Sequence, residues 1–414
     1  MLTFLVTLLS LGLFAILAVF AARRLVFLFT LGRAQPPLPE RPAPGAAGEQ
    51  GAAWPAVLVL VPARNERASL PGLIAALEAL DYPRWRVMLI DDGSTDGTGA
   101  LMAAAAAERP GWRVLGLPRN LGKPAALNAA LAAEPFGEIV FIFDVDHRPR
   151  PDCLRPAVRA FADPRVAGVS GRTVPRNALD SPVAYYAAVE NLVHQLVTMR
   201  GKDVLGLAPA LLGSNNGYRR SALTAVGGFR PGAFLEDSDL TLSLYRAGWT
   251  VRYVPEAVAT LEVPYTVRGF ARQHLRWGRG FNDVARAHLP ALLRDARLPA
   301  GLRLELALFS VGYLDRLALL GMVGVLALSA PLGAGLAQTL AALGVAVSLG
   351  LPLLQIAAAL LFDRAPWAMW RPLPWVPVFF AVDAGVAVWA ALLSVFNRPR
   401  RWTQTERSPA ARKP

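Results

Sequence analysis

The sequence predicts an α/β domain with a parallel, Rossmann-like sheet, flanked by one N-terminal and about three C-terminal transmembrane helices. The first indication is the stretch 138–146, an apolar run that ends in two carboxylates, as expected of a buried strand that delivers acids to a cleft. The second is the alternation of strand-like and helical patterns from Ala56 onward, which is typical of β-α units. The third is the concentration of apolar residues, 54% of the chain, toward its two ends.

Charge and cysteine content narrow the class of protein. The net charge is +13, and in a membrane protein an arginine surplus marks surface that faces anionic lipid. No basic-aromatic motif for nucleic acid is present, so nucleic acid is excluded as the expected partner. A single cysteine, Cys153, excludes an internal disulfide framework and indicates a reducing compartment. We expect an integral protein of a bacterial-type inner membrane, with a cytoplasmic domain and membrane lipids as partners.

Residues 1–34 are predicted to form an N-terminal membrane anchor with its basic flank. Within them, residues 2–22 are an almost uninterrupted apolar run of bilayer-spanning length. Arg23 and Arg24 follow at once, which places this flank in the cytoplasm. The first ten residues carry no charged side chain, so we expect an uncleaved anchor rather than a signal peptide. Residues 35–55, rich in Pro, Gly and Ala, are predicted to be an extended linker.

Residues 56–265 are predicted to form the soluble domain. Strands are expected at 57–61, 86–90, 113–117, 139–143 and 165–174, and a closing strand pair at 249–254 and 257–263. Helices are expected at 70–80, 98–107, 124–133, 151–162, 181–200 and 234–248, with a further one after the turn-rich segment 213–220. Asp96, Pro124, Ser181 and Thr266 stand where helix caps and first-turn prolines belong.

Three polar clusters follow three of the predicted strands. They are residues 62–66 after the first strand, residues 91–96 after the second, and Asp144 and Asp146 after the fourth. In a parallel sheet the ligand lies beyond the carboxyl ends of the strands, so the three clusters should share one edge. On an extended backbone both aspartates would point the same way and could face one divalent cation. Helix capping and turn chemistry would equally explain any one cluster alone.

Two residues near these clusters carry a charge or a potential metal ligand. Lys123 follows a glycine turn just before a predicted helix N-terminus, where phosphate oxygens bind readily, although a solvated Lys/Arg pair is the alternative. His147 directly follows the acidic pair, and strand alternation would turn it away from the two carboxylates. We therefore expect it to be a polar loop residue.

Four motifs together resemble the membrane-bound family 2 glycosyltransferases, whose catalytic domain has the GT-A fold. They are PARNE at 62–66, DDGSTDGT at 91–98, RNLGK at 119–123 and DVD at 144–146. The resemblance implies a nucleotide-diphosphate sugar as the donor, with a UDP-sugar expected first, and Mg²⁺ or Mn²⁺ as the cofactor. It assigns donor binding to Pro62, Glu66, Asp91, Asp92, Lys123 and Asp144, and metal binding to Asp146 and Asp144. Arg64 stands where many members have an aromatic residue.

Two later motifs extend the same resemblance. Acids in a first helical turn are ordinary dipole partners, but in LEDSD at 235–239 Asp237 matches the family's general base, and Leu235 replaces the commoner threonine. In QHLRW, Gln273 and Arg276 share a helix face with Trp277 beside them. This Q-x-x-R-W is similar to that of synthases of cellulose, hyaluronan and poly-N-acetylglucosamine, and some single-addition lipid glucosyltransferases carry it too. It implies acceptor and diphosphate binding by Glu236, Gln273, Arg276 and Trp277.

The last third of the sequence is predicted to be membrane-associated. Residues 266–300 combine arginines with interleaved leucines, which is typical of an amphipathic interfacial helix. Residues 301–397 are predicted to be the C-terminal transmembrane region, and residues 398–414 a basic tail. Three apolar segments lie in the transmembrane region, at 304–330, 336–362 and 375–396.

Charged residues in these apolar segments suggest a function or a pairing. Asp315, Arg316 and Asp383 could line a translocation path, and helix ends or buried pairing explain them equally well. One N-terminal span and three more would place the basic tail outside, against the positive-inside tendency. We therefore expect one segment to be re-entrant or interfacial, and the sequence leaves open which one.

The sequence thus predicts an inverting glycosyltransferase, of the hexosyl- or N-acetylhexosaminyl-transferase type, at the cytoplasmic membrane face. The expected acceptor is a growing polysaccharide, and the alternative is a single sugar transfer to a membrane lipid. A catalytically silent sugar-nucleotide-binding protein should have lost a metal carboxylate or the base. Asp144, Asp146 and Asp237 are all present, which favours an enzyme.

Overall fold

A computed structural model describes residues 1–40 and 54–396. The strands are β1 Val57–Ala63, β2 Trp85–Asp91, β3 Trp112–Gly116, β4 Ile139–Ile142, β5 Arg148–Pro149, β6 Val166–Pro175, β7 Asn216–Arg219 and β8 Thr250–Leu261. The helices of the soluble domain are α2 Leu70–Glu78, α3 Thr98–Ala107, α4 Lys123–Ala133, α5 Leu154–Ala160, α6 Pro182–Val193, α7 Arg200–Val204, α8 Arg220–Ala225 and α9 Glu236–Arg246. The remaining helices are α1 Leu2–Phe29, α10 Val267–Arg294, α11 Ala300–Ser310, α12 Leu314–Ser329, α13 Gly335–Phe362 and α14 Val376–Val395.

The strands form one sheet in the order β3-β2-β1-β4-β7-β6-β8-β5. A parallel sheet was expected throughout, and β1 to β4 are parallel to their neighbours within that group. The other half is mixed, because β7 runs antiparallel to both β4 and β6, and β5 runs antiparallel to β8. The fold class is therefore α/β as predicted, with a sheet that changes from parallel to mixed at β4.

Two strand predictions need correction. β7 lies within the segment predicted to be a turn, and its pairing partners are distant in the sequence. β8 is one continuous strand where two were expected. Its register against β6 shifts between Gly171 and Arg172, so the residues around Pro255 bulge out of the ladder. A bulge suits proline, which lacks the N–H that a ladder position needs.

The central strands are buried on both faces. Every residue of β1 and β4 is buried, as the uninterrupted apolar runs predict. Side chains alternate along β1: Leu58 and Leu60 enter the core beneath α4, whereas Val57 and Val59 enter the core beneath α2. Helices therefore cover both faces, and the strand ends are the accessible part of the sheet.

The predicted caps at the starts of α6 and α10 are present. Ser181 Oγ accepts a hydrogen bond from the backbone of Ala184 at 3.0 Å, and Thr266 Oγ1 accepts one from Gly269 at 3.0 Å. The cap expected at Asp96 is displaced by one residue: Asp96 Oδ1 accepts a hydrogen bond from the backbone of Thr98 at 2.9 Å, but the N-cap residue of α3 is Gly97. A π-helical turn, His194–Met199, joins α6 to α7.

Within residues 1–40 and 54–396, three helices are long and apolar enough to cross a membrane: α1, α13, and the helical stretch Trp367–Val395 that contains α14. α11 and α12 meet at a 67° bend and would add a fourth crossing if the pair counts as one span. α1 continues past its predicted end, so Arg23 and Arg24 lie on the helix. Arg23 pairs with Glu305 at 2.7 Å, and Arg24 pairs with Asp315 at 2.6 Å.

The linker is described only at its ends, and residues 41–53 and the basic tail lie outside the described residues. The first part of the linker lies against the soluble domain. Gln35 donates a hydrogen bond to Asp203 at 3.0 Å, and the Pro36 carbonyl accepts one from Arg252 at 2.9 Å. The start of the linker is therefore fixed to the domain.

Candidate functional site

The first two polar clusters are joined by backbone hydrogen bonds. β1 lies between β2 and β4, so the loops after these strands are neighbours. The backbone of Asn65, whose φ is +56°, donates to Ser94 Oγ at 3.0 Å, and that of Glu66 donates to Thr98 Oγ1 at 2.9 Å. Pro62 is buried near the end of β1. The loops around residues 62–66 and 91–98 thus form one unit.

Asp91 and Asp92 hold backbone groups of the surrounding loops. Asp92 is buried, and its two carboxylate oxygens accept hydrogen bonds from the backbones of Leu121, at 2.7 Å, and Gly122, at 2.9 Å. Asp91 Oδ1 accepts one from Ser94 at 2.9 Å. Asp92 therefore fixes the glycine turn that precedes Lys123, in addition to any contact with a ligand.

Lys123, the first residue of α4, contacts two other predicted site residues and the turn-rich segment at Gly213. Its Nζ lies 2.8 Å from Asp144 Oδ1, 3.1 Å from Glu236 Oε1 and 2.8 Å from the carbonyl oxygen of Gly213. Burial alone would lower the pKa of Lys123, but the carboxylates of Asp144 and Glu236 outweigh it and raise the pKa. The lysine therefore remains charged.

Asp144, Asp146 and His147 form a group that could hold a metal ion. Their potential ligand atoms all lie within 4.8 Å of one another. The expected orientation of His147 is wrong: its Nδ1 lies 3.1 Å from Asp146 Oδ1, and the residue is buried. β4 ends at Ile142, and His147 donates its backbone N–H to the Asp144 carbonyl in a turn, so strand alternation does not apply. The two carboxylates suit Mg²⁺ or Mn²⁺, and the imidazole, a softer ligand, favours Mn²⁺ of the two.

Glu236 and Asp237 occupy the first turn of α9. Burial first, and the neighbouring Glu236 second, raise the pKa of Asp237 to about 7, although Lys123 opposes the shift. Gly213 has a φ of +81°, and a Cβ there would lie 2.9 Å from Asp237 Oδ2. Only glycine lets the backbone approach this carboxylate so closely in that conformation.

α10 brings the Q-x-x-R-W motif to the same place. Burial lowers the pKa of Arg276, and the carboxylates of Glu236 and Asp144 oppose that shift. Gln273 lies one turn before Arg276. Trp277 packs against the core, with its ring centroid 4.9 Å from that of His274. Five of the predicted site residues converge: Lys123, Asp144, Glu236, Asp237 and Arg276. Trp277 is partly covered by core packing.

The charged residues of the last apolar segments pair with one another and with α10. Arg316 Nε lies 2.9 Å from Asp383 Oδ2, and Asp383 Oδ1 lies 2.9 Å from His274 Nδ1. Glu190 Oε2 is 3.3 Å from the other ring nitrogen of His274. Of the explanations that the sequence leaves open for these charged residues, buried pairing is therefore the one that the structure supports. Sequence reasoning missed Glu190 and His274, because their partners come from helices far away in the chain.

Residues 139–393, more than half of the chain, match the family model described as glycosyl transferase family group 2. The chain belongs to this family. The prediction of a family 2 glycosyltransferase domain is confirmed.

Curated relatives of this glycosyl transferase family group 2 chain are enzymes of sugar transfer. It is 30% identical over 300 residues to an N-acetylglucosaminyltransferase of Mesorhizobium japonicum, covering 70% of this chain and 67% of the relative. It is 30% identical over 249 residues to the beta-monoglucosyldiacylglycerol synthase of Synechocystis sp., covering 58% and 51%. It is 29% identical over 232 residues to the probable glycosyltransferase YdaM of Bacillus subtilis, covering 55% of each. The chain thus spans about half to two thirds of these relatives.

A solved structure of similar fold is the mannosyltransferase PcManGT from Pyrobaculum calidifontis, in complex with GDP-Man and Mn²⁺. The TM-score is 0.65 at 23% sequence identity, and the match covers 95% of this chain and 100% of that chain. At this identity the likeness concerns the fold. The predicted GT-A fold is confirmed.

Proposed function

We propose that the chain is an inverting glycosyltransferase that moves a hexose or N-acetylhexosamine from a nucleotide-diphosphate sugar, a UDP-sugar first, to an acceptor at the cytoplasmic face of the inner membrane. The observation that carries the proposal is the position of Lys123. Its ammonium group contacts Asp144, Glu236 and the backbone of Gly213, which lie 21, 113 and 90 positions further along the sequence, so distant motifs meet at one point. A cation held there can bind diphosphate oxygens.

The proposed catalytic base is Asp237. A sugar hydroxyl is a weak nucleophile until a positioned carboxylate takes its proton in the transition state. A pKa of about 7 suits that task near neutral pH, because a base is most effective when its pKa lies close to the working pH. Arg276 and Lys123 would stabilise the departing diphosphate, with Glu236 between them as their counter-charge.

The remaining site residues are proposed to bind the donor, the acceptor and a metal ion. Glu66, Asp91 and Asp92, together with Pro62, would line the nucleoside pocket, and Gln273 and Trp277 would contact the acceptor. Asp144 and Asp146 would hold Mg²⁺ or Mn²⁺, and the imidazole of His147 lies close enough to share the ion. When bound, the metal neutralises charge that develops on the diphosphate.

The acceptor that we propose is a membrane lipid. The charges that could line a translocation path are instead committed to ion pairs: Arg316 contacts Asp383, and Asp315 contacts Arg24. The relative from Synechocystis is named as a glycolipid synthase, which agrees with this choice. The growing polysaccharide expected from the sequence is the alternative.

The test is transfer by the purified protein in liposomes with Mg²⁺ or Mn²⁺. A panel of radiolabelled UDP- and GDP-sugars is offered, and products are separated by size and by organic extraction. Label in the organic phase is expected, and it names the sugar. A large water-soluble product would establish the polymerising alternative. Absence of transfer from every donor, with diglyceride and total-lipid acceptors supplied, would contradict the proposed activity.

A further inference from the structure

Three apolar helices form a bundle in which each packs against the other two: α1, α12 and α13. α12 runs antiparallel to α1, because Asp315 pairs with Arg24 while a Cβ on Gly321 would lie 2.9 Å from Leu13. α12 has 16 residues, about 24 Å, and apolar residues 330–334 follow it. We treat these three helices as the crossings of the bilayer.

α13 returns the chain to the side of the soluble domain. Its middle lies beside the middle of α1, since a Cβ on Gly344 would lie 3.3 Å from Leu17. Its end contacts that domain, because Asp363, the residue after α13, pairs with Arg172 at 2.6 Å. α14 therefore starts on the same side as the sugar-transfer site.

α14 then runs alongside α10 rather than away from it. Asp383 lies 2.9 Å from His274, a Cβ on Gly278 would lie 2.9 Å from Ala390, and Ser394 accepts a hydrogen bond from Asn282 at 3.1 Å. The contacts keep the same order in both helices, so the helices are parallel. They cover twelve residues of α14, Asp383 to Ser394, a rise of about 16 Å.

α10 cannot cross the hydrocarbon core of the bilayer, and its contacts with α14 therefore determine the depth of α14 relative to the membrane. It carries arginines along its length: Arg268, Arg272, Arg276, Arg279, Arg286 and Arg294. Near its end, His288 lies 2.9 Å from Asp239 of α9, inside the soluble domain. The last turn of α14 follows it there, because the Ser394 carbonyl accepts a hydrogen bond from Arg286 at 3.1 Å.

The side of α14 that faces away from α10 is an apolar stripe at helical spacing. It consists of Val378, Ala381, Gly385, Trp389, Leu392 and Val395, all exposed. Trp389 is 55% exposed, and Trp367 and Trp375, just before α14, are 74% and 56% exposed. Tryptophan is enriched at the level of lipid headgroups, and an exposed stripe of this length requires an apolar cover.

We propose that α14 lies in the plane of the membrane, with its apolar stripe inserted into the leaflet on the side of the soluble domain. The occupant of the stripe is lipid of the bilayer that α1, α12 and α13 cross. The chain then crosses three times, and α14 seats the neighbouring α10, with its proposed acceptor motif, at the lipid surface. Arg398, Arg400 and Arg401 follow in the sequence, and this placement agrees with the positive-inside tendency. The inference does not depend on the proposed reaction.

Labelling of introduced cysteines tests the side on which α14 ends. The native Cys153 is fully buried, so the folded wild type should be silent to a membrane-impermeant maleimide. Three variants are compared in sealed, right-side-out vesicles: Glu108→Cys on the soluble domain, Ala330→Cys after α12 and Phe396→Cys after α14. Ala330→Cys should react at once, and the other two only after permeabilisation. If Phe396→Cys reacts like Ala330→Cys and unlike Glu108→Cys, α14 crosses the bilayer and the proposal fails.

Depth measurement tests the contact with lipid. Nitroxide labels are placed at Val378, Gly385 and Leu392, and accessibility to oxygen and to a water-soluble nickel chelate gives their depth in proteoliposomes. The three depths should be similar and shallow. Labels at Leu336, Leu349 and Leu361 of α13 are the control and should be deepest at the centre. A central maximum in α14, or free access of the nickel chelate to all three of its labels, would each overturn the proposal.

Discussion

At the scale of single residues, substitution of Asp237 tests its proposed role as the catalytic base. The Asp237→Asn variant keeps the size and the hydrogen-bond acceptor toward Ser238, whose backbone donates at 2.6 Å. We expect transfer to fall by about a thousandfold or more, because base catalysis typically contributes 10²–10⁴. Donor binding measured by calorimetry should persist. The exposed Asp152→Asn is the control, and full activity of Asp237→Asn would remove this residue from the chemistry.

The same residue predicts a pH dependence. Burial and Glu236 raise the pKa of Asp237 to about 7, from an ordinary 3.8. Only the ionised carboxylate can accept the proton, so kcat/KM should fall about tenfold per unit below pH 7 and level off above it. A profile of kcat/KM from pH 5 to 9 measures this. If kcat/KM instead begins to fall only near pH 4, Asp237 is not the catalytic base.

Gly213 offers a second residue-scale test. Gly213→Ala would place a Cβ 2.9 Å from Asp237 Oδ2, at a φ of +81°. Gly248→Ala has the same backbone strain, at a φ of +87°, with open space around the added Cβ. Both should lose about 1–3 kcal/mol of stability from backbone strain. Only Gly213→Ala should also lose more than tenfold in transfer rate, and equal rates for the two variants would contradict the close approach.

The carboxylates could be found from the sequence, and the groups that hold them could not. Asp144, Asp146 and Asp237 belong to short motifs whose order is visible in the chain. The side chain of His147 was misplaced, because the end of β4 and the turn after it decide its direction. The position of this side chain depends on where β4 ends, and the two-residue periodicity of a strand gives no information about that end.

At the scale of elements, the contact between α9 and α10 sets the geometry of the site. A Cβ on Gly280 of α10 would lie 2.5 Å from Cγ of Leu235, directly before Glu236 and Asp237. Gly280→Ala should therefore displace the first turn of α9 and slow sugar transfer. Overpacking should also lower the free energy of unfolding by about 1–3 kcal/mol. Adding Leu235→Ala removes the clashing atom and should restore part of the rate. A double-mutant cycle on rate and unfolding measures the coupling, and additive effects would argue against it.

Elements with a strong local pattern were predicted, and those made by distant pairing were not. β1 to β4 and the helices between them follow from apolar runs, helical composition and first-turn proline, with ends within a few residues of the prediction. β7 has only the four residues Asn216–Arg219, and its ladder partners lie in β4 and β6. The continuity of β8 likewise depends on β6 beside it. Such strands are specified by their neighbours rather than by their own residues.

At the scale of the whole molecule, buried ion pairs join the membrane bundle to the soluble domain. Glu305 of α11 contacts Arg23 of α1 at 2.7 Å and Lys202 of α7 at 3.0 Å, and Glu305 and Lys202 are almost fully buried. Glu305→Gln would leave the two cations facing each other without a counter-charge. Breaking a buried pair costs about 3–5 kcal/mol.

The measurement is thermal unfolding in detergent. Glu305→Gln should lower Tm by several degrees, whereas the exposed Glu108→Gln should leave it unchanged. A Glu305→Gln protein as stable as the Glu108→Gln protein would show that this junction contributes little to the folded state.

The span of these ion pairs has a consequence for biosynthesis. Arg23 and Arg24 are made well before their carboxylate partners, which lie 282 and 291 positions later in the sequence. The sheet and its flanking helices are therefore complete while the anchor helix still lacks its counter-charges. We expect a nascent chain that stops before Glu305 to contain a folded soluble domain and an anchor helix α1 whose arginines still lack these two carboxylates. The domain and the helix should be fixed to each other only after Glu305 and Asp315 have been made.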